Sequence, residues 1–79
     1  MKKKVLVIGG AGFIGSNLSR HLIKNDMEVY CFDMSKPVHE IAGVNYICGD
    51  FFDDYTLEHA LEGMDYVVHA LSTCLLYTS

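Results

Sequence analysis

The feature that most constrains the fold of this chain is an apolar run that leads directly into three regularly spaced glycines. The run Val5-Leu6-Val7-Ile8 is followed by Gly9, Gly12 and Gly15, in the spacing G-x-x-G-x-x-G. An uninterrupted apolar run is typical of a parallel strand that is covered on both faces, and a helical pattern follows the glycines here. The order of strand, glycine-rich turn and helix predicts a binding site for a pyrophosphate.

Each glycine has a separate steric role in such a turn. Gly9 can adopt the tight turn that ends the strand, Gly12 has no Cβ to hold a pyrophosphate off the backbone, and Gly15 lets the helix pack closely on the sheet. The first turn of the helix carries unpaired N–H groups and the positive end of the helix dipole. Main-chain N–H groups are therefore predicted to bind the pyrophosphate without Lys or Arg. A glycine turn without a ligand is the alternative, and the flanking pattern favours the phosphate site.

An acidic residue after the second apolar run indicates that the ligand is a dinucleotide. The segment Glu28 to Phe32 is predicted to be the second strand, and Asp33 follows it, 18 residues beyond Gly15. A carboxylate there can accept hydrogen bonds from both adenosine ribose hydroxyls, whereas a 2′-phosphate would bring like charge against it. NAD is therefore predicted rather than NADP, although Lys36 offers a weak alternative site for the extra phosphate. A loop aspartate or a helix cap is the other role open to Asp33.

The remaining pattern predicts an α/β fold, a Rossmann-type doubly wound parallel sheet truncated to about four strands in the order 3-2-1-4. A helix is predicted from Phe13 to about Lys24, because apolar residues recur there at four-residue steps, and it joins two strands by a right-handed crossover. Residues 34–43 are predicted to be a loop. The third and fourth strands are predicted at 44–48 and 65–71. In this order the carboxyl ends of strands one and four line one crevice.

A short helix is predicted between the third and fourth strands. Thr56 is predicted to cap its N-terminus and Gly63 to end it. Asp53 and Asp54 are interpreted as turn and cap residues rather than as ligands of magnesium. The scattered cysteines and histidines lack the spacing of a zinc site or a disulfide framework, so no metal is predicted.

Composition and charge exclude several classes of function. The 79 residues are 51% hydrophobic and 20% charged, which indicates a globular chain. A net charge of −4 argues against binding to nucleic acid or an anionic membrane, because phosphate groups there are bound by clustered cations. No apolar run approaches the roughly 20 residues of a membrane span. Lys2 to Lys4 are interpreted as the start of a strand rather than of a secretory signal, so a cytoplasmic location is predicted.

Together these motifs resemble the extended short-chain dehydrogenase/reductases, especially the NAD-dependent epimerase/dehydratase family that acts on sugar nucleotides. The resemblance runs from Lys3 to Thr73 and rests on the glycine motif at 9–15, on Asp33, on Gly49-Asp50 and on residues 67–73. It implies which residues contact the cofactor. The pyrophosphate would lie at the N–H groups of Phe13 and Ile14, the ribose at Asp33, the adenine at Asp50 and Phe51, and the nicotinamide side at Ala70, Leu71 and Ser72.

The resemblance also implies an activity that this chain cannot perform by itself. Family members oxidise a sugar hydroxyl by hydride transfer to bound NAD, use a Tyr-x-x-x-Lys pair as the base, and can form homodimers. No tyrosine of this chain is followed by a lysine four positions later. The chain is therefore interpreted as the inactive amino-terminal part of such an enzyme. A non-catalytic dinucleotide-binding module and a flavin-binding Rossmann domain are the alternatives.

The last six residues are expected to be foreign to the protein. Cys74-Leu75-Leu76-Tyr77-Thr78-Ser79 is the translation of TGT-CTC-TTA-TAC-ACA-TCT, which matches the mosaic end of a transposase adaptor used to prepare sequencing libraries. Residues 1–73 would then be a partial NAD-binding domain and 74–79 an adaptor-derived tail. A native loop that leads into the next helix is the alternative.

Overall fold

The computed structural model describes residues 2–37 and 39–70, which form a four-stranded parallel sheet with a helix on each face. The elements follow in the order β1 (Lys4–Ile8), α1 (Phe13–Lys24), β2 (Glu28–Asp33), β3 (Val44–Cys48), α2 (Asp54–Leu61) and β4 (Tyr66–His69). The strands stand side by side in the order β3-β2-β1-β4, and every neighbouring pair is parallel. The predicted Rossmann-type fold and its strand order are therefore confirmed.

The central strand β1 is buried because a separate apolar layer covers each of its faces. Val5 and Val7 pack with the layer that includes Leu18 and Leu22 of α1. Leu6 and Ile8 point the other way and pack with Leu57 and Ala60 of α2. Side chains alternate between faces along a strand, so a slip of one residue would exchange the two layers. The apolar run of β1 is uninterrupted because the two apolar layers, one on each face of the sheet, share this strand.

The helix α2 is capped by Asp53 rather than by Thr56. The Asp53 carboxylate accepts hydrogen bonds from the N–H groups of Tyr55 and Thr56 and from the Thr56 hydroxyl. The prediction that Thr56 is the cap was wrong, because the Asp53 side chain already satisfies the open N–H groups; the interpretation of Asp53 as a turn and cap residue is confirmed. These hydrogen bonds, above all the one from the Thr56 side chain, lower the pKa of Asp53 below its usual value. Gly63 follows the helix with a φ of 78°, as a glycine at this end of a helix commonly does.

Two strand boundaries differ from the sequence prediction. β2 is one residue longer, so that Asp33 is its last residue rather than the first residue after it. β4 covers only Tyr66–His69 instead of 65–71. Asp65 lies outside the strand, and its carboxylate accepts a hydrogen bond from the N–H of Lys4 at 2.8 Å. Leu71, Ser72 and the tail at 74–79 lie outside the described residues.

Within the described ranges, no helix has both the length and the apolar composition that crossing a membrane requires.

Candidate functional site

The glycine turn between β1 and α1 begins with a backbone conformation that favours glycine. Gly9 has a φ of 86°, in the left-handed region that residues with a Cβ rarely adopt. Its N–H donates a hydrogen bond to the carbonyl of Phe32 at 2.7 Å, which ties the turn to the end of β2. The predicted role of Gly9 as the residue that turns the chain out of the strand agrees with this geometry.

The other two glycines of the motif differ in what surrounds them. A Cβ on Gly15 would lie 2.5 Å from both the Cα of Gly10 and the carbonyl oxygen of Gly9, which is closer than unbonded atoms approach. The close contact that requires Gly15 is therefore with the turn itself, whereas the predicted contact was with the sheet. A Cβ on Gly12 would meet only the Gly9 oxygen, at 3.8 Å. No described protein atom demands glycine at position 12, so the space beside it is open to a ligand.

Gly10, which is not one of the three spaced glycines of the motif, is also constrained by packing. A Cβ on Gly10 would lie 2.5 Å from the Sγ of Cys31 on β2. The same Sγ is 3.2 Å from the hydroxyl of Ser19, and both side chains are buried. Burial raises the pKa of the Cys31 thiol, so this group stays protonated and serves as a small packing residue. The adjacent pair Gly9-Gly10 was the only sequence signal for this contact.

The N-terminus of α1 is open and carries no neutralising side chain. Gly12 is the N-cap, no side chain caps this end, and the first turn contains no acidic residue. The N–H groups of a first turn have no carbonyl partner within the helix, and they carry the positive end of its dipole. The side chains of Phe13 and Ile14 are 82% and 45% exposed. This end of α1 can therefore accept an anion on its main-chain N–H groups.

Asp33 lies against the glycine turn. One oxygen of its carboxylate, Oδ2, accepts a hydrogen bond from the N–H of Ala11 at 3.0 Å, and Oδ1 accepts one from the N–H of Ser35 at 3.2 Å. Each carboxylate oxygen can accept more than one hydrogen bond, so both retain capacity for further donors. The structure therefore brings Asp33 and the turn together and fixes the orientation of the carboxylate.

The residues expected at the adenine end lie just after β3. Asp50 Oδ1 accepts a hydrogen bond from the N–H of Phe52 at 2.9 Å, which shapes the turn before α2. The half-buried ring of Phe51 packs edge-on against Phe32, with ring centres 5.5 Å apart. Gly49 is held close as well, because a Cβ there would lie 2.6 Å from the Thr56 methyl group. The Phe51 ring thus contributes to the core beside α2, while Asp50 remains exposed.

Ala70 is the one described residue among the three expected to line the crevice between β1 and β4. The N–H of Ala70 donates a hydrogen bond to the carbonyl of Ile8 at 2.7 Å, which places Ala70 beside the start of the glycine turn. Leu71 and Ser72, expected next along this crevice, lie outside the described residues. Among residues 2–37 and 39–70, no three His, Cys, Asp or Glu side chains come together as a metal ion would require.

Comparison with known proteins identifies the family. A model of the NAD dependent epimerase/dehydratase family matches residues 5–76. The chain belongs to this family. The resemblance drawn from the glycine motif, Asp33 and the later strands is thereby confirmed.

Individual proteins and solved structures are similar to the chain over most of its length. The 2-alkyl-3-oxoalkanoate reductase of Stenotrophomonas maltophilia (strain K279a) is 40% identical over 67 residues, which are 84% of this chain and 20% of the reductase. The structure of the epimerase Mth375 of Methanothermobacter thermautotrophicus is 37% identical with a TM-score of 0.76, over 89% of this chain and 23% of Mth375. The Thermus thermophilus UDP-glucose 4-epimerase, solved in complex with NAD, is 33% identical with a TM-score of 0.75, over 86% and 24%.

The chain spans only about a fifth to a quarter of the length of these three relatives. The matched part contains the glycine turn and Asp33. It does not contain the Tyr-x-x-x-Lys pair that the family resemblance implies for catalysis. With the glycine turn and Asp33, the matched part has groups suited to binding a dinucleotide.

Proposed function

We propose that this chain binds NAD at the glycine turn. The observation that carries the proposal is the joint position of three features: the uncapped N-terminus of α1, the open space beside Gly12, and the Asp33 carboxylate held at the same turn by Ala11. A helix N-terminus supplies main-chain donors for a pyrophosphate, and a carboxylate at the end of β2 accepts the ribose hydroxyls. NAD carries both of these groups.

The contacts follow from these positions. The N–H groups of Phe13 and Ile14 bind the pyrophosphate. Gly12 leaves room for the pyrophosphate, and Gly9 and Gly15 leave room for the backbone of the turn that holds it. Asp33 binds the adenosine ribose. Asp50 and the backbone of Phe51 border the adenine. Ala70, and after it Leu71 and Ser72, border the nicotinamide side.

The larger activity that we propose is that of a sugar-nucleotide epimerase or dehydratase. When bound, NAD would accept a hydride from the carbon that bears a sugar hydroxyl. The residues of this chain would hold the cofactor, while the Tyr-x-x-x-Lys pair would have to come from sequence beyond these 79 residues. Residues 1–73 would form part of the NAD-binding domain of a cytoplasmic, homodimeric enzyme, and 74–79 would be foreign. Coding DNA without the adaptor string would contradict this view of the tail.

Titration of the intact protein with NAD+ tests the binding proposal. Isothermal titration calorimetry should detect binding to the wild type, and Gly12→Val should weaken it by at least about tenfold, because the new side chain occupies the space left for the pyrophosphate. The matched control is Gly12→Ala, whose smaller side chain should weaken binding less. Circular dichroism should show that both variants remain folded. Equal NAD+ affinity of Gly12→Val and the wild type would refute the assigned pyrophosphate position.

The rival function is a dinucleotide-binding module without catalysis. It makes the same predictions for Gly12 and Asp33, since it uses the same cofactor contacts. The two functions differ in the sequence that follows: a Tyr-x-x-x-Lys pair supports the enzyme, and its absence from the intact protein supports the module.

A further inference from the structure

The outer face of α2 carries two aromatic side chains that are exposed to solvent. Phe52, which directly precedes the N-cap of α2, is 87% exposed, and Tyr55 in the first turn is 70% exposed. The inner face of the same helix packs on the sheet through Leu57 and Ala60, so the core does not use these two rings. Exposed aromatic side chains are typical of surfaces that bind a partner, because their large area gains most from being removed from water.

The ring of Tyr55 is held in place by neighbours on its own helix. It meets the imidazole of His59 edge-on, with ring centres 4.5 Å apart. The Nδ1 atom of His59 lies in turn 3.5 Å from Oε1 of Glu62. The three residues follow one another at steps of four and three, which places them on one face of α2. A ring that is already oriented loses less conformational freedom when a partner covers it.

The charge around these rings is negative. Asp54 and Glu58 of α2 are exposed, and so is Glu62 at the end of the helix. All six lysine and arginine residues of the chain lie at or before Lys36, so none follows in the sequence near α2. In the part of the chain that the structure describes, no ion pair joins a lysine or an arginine to an acidic residue of α2. The outer face of α2 therefore combines exposed rings with negative charge that no lysine or arginine neutralises.

We propose that the outer face of α2 is a docking surface for an arginine-bearing segment of a partner protein. A guanidinium can stack on the ring of Tyr55 or Phe52 and at the same time donate hydrogen bonds to a carboxylate. Glu58 is suited to that second contact, because it stands three residues after Tyr55 on the same face of the helix. A purely apolar partner would remove the carboxylates from water without compensation, and an acidic partner would be repelled by them.

The test uses the intact protein and a fluorescein-labelled octa-arginine peptide, with fluorescence anisotropy as the readout. Octa-lysine should bind more weakly, because an ammonium group lacks the planar stacking surface of a guanidinium. Tyr55→Ser leaves the net charge unchanged and should raise the Kd of octa-arginine by about threefold, as expected for one exposed cation–π contact. Glu58→Gln should raise it by about threefold as well. Octa-arginine should also protect Tyr55 from nitration by tetranitromethane.

The matched control is Glu40→Gln, which removes one exposed negative charge from the connection between β2 and β3. It should leave the Kd of octa-arginine unchanged. Circular dichroism should show that all three variants are folded, and their affinity for NAD+ should equal that of the wild type, because none of these residues is assigned to the cofactor.

Three results would overturn the inference. If Tyr55→Ser binds octa-arginine as the wild type does, or if Glu40→Gln weakens binding as much as Glu58→Gln, general charge rather than this face attracts the peptide. If tetranitromethane leaves Tyr55 of the folded, intact protein unmodified, the rest of the protein covers the face. If the intact protein self-associates in sedimentation experiments and Tyr55→Ser abolishes the association, the occupant is a second copy of the protein instead.

Discussion

Replacing Gly15 by alanine tests whether α1 begins in direct backbone contact with the glycine turn. An ideal Cβ at this position would lie 2.5 Å from the Cα of Gly10, 2.5 Å from the oxygen of Gly9 and 2.9 Å from the carbonyl carbon of Gly10. All three neighbours are main-chain atoms, so no side-chain rotation can relieve the contact. The helix or the turn must move instead.

The magnitude follows from two opposing effects. Forcing an extra methyl group into a filled space costs about 1–3 kcal/mol. Alanine is favoured over glycine within a helix by about 0.8–1 kcal/mol, which offsets part of that cost. Because the obstructing atoms at Gly15 are backbone, we expect the upper half of the first range and a net loss of about 1–2 kcal/mol in the free energy of unfolding. NAD affinity should fall as well, since a displaced turn no longer presents its N–H groups correctly.

Urea unfolding followed by circular dichroism measures the stability change, and Gly12→Ala is the matched control. At Gly12 the φ is −81°, and the nearest described atom to an added Cβ is 3.8 Å away, so this substitution should change stability by no more than about 0.5 kcal/mol. A Gly15→Ala variant as stable as the wild type, or a control that is destabilised equally, would refute the close contact between the helix and the turn.

Three further predictions concern individual side chains. Asp33→Asn should raise the Kd of NAD+ by about tenfold and reduce the preference over NADP+, because ribose hydroxyls lose a charged acceptor; an unchanged cofactor preference in the same titration would contradict the role of Asp33. Iodoacetamide should label the exposed Cys48 quickly and the buried Cys31, whose thiol pKa is raised, only on unfolding; mass spectrometry that finds Cys31 modified at the rate of Cys48 would disprove its burial. Because folding lowers the pKa of Asp53, the ionised carboxylate stabilises the folded state. This stabilisation is fully present above about pH 4 and is lost as the pH falls through the lowered pKa. The Asp53→Asn variant keeps a side-chain oxygen that can cap α2 but has no carboxyl group to titrate. Its free energy of unfolding, measured with urea at a series of acidic pH values, should therefore depend less on pH than that of the wild type. An identical pH dependence of the two proteins would exclude the carboxylate as a source of stability.

Much of the fold could be predicted from the sequence because its signals are local. The run that became β3 has the predicted bounds, and the apolar run at 5–8 lies within β1, since apolar residues bounded by turn residues mark a strand directly. The helix α1 also has the predicted bounds, because its apolar stripe and the Asn25-Asp26 stop are both visible in the sequence. The placement of Asp33 at the turn followed from the parallel order of β1 and β2, which brings their carboxyl ends together.

The features that were missed depend on contacts between distant segments or on competition between neighbours. Thr56 and Asp53 are both good caps, and only the structure shows that the earlier residue starts the helix. Residues of α1, among them Arg20, line a groove together with Pro37 and His39, and nothing in the local pattern specifies that these segments lie side by side. The packing of the Phe51 ring against Phe32 was not predicted, because an aromatic side chain after β3 can turn inward as well as outward. The position of Phe51 beside the adenine stays a prediction.

The contact between Gly10 and Cys31 makes two positions far apart in the sequence interdependent in size. With 2.5 Å between a Cβ at position 10 and the sulfur at position 31, any bulk added to one must be removed from the other. Related chains that carry alanine at position 10 should therefore carry glycine at position 31 or hold the two segments further apart. Correlated substitution at these two positions would record a steric limit on how the second strand supports the glycine bend.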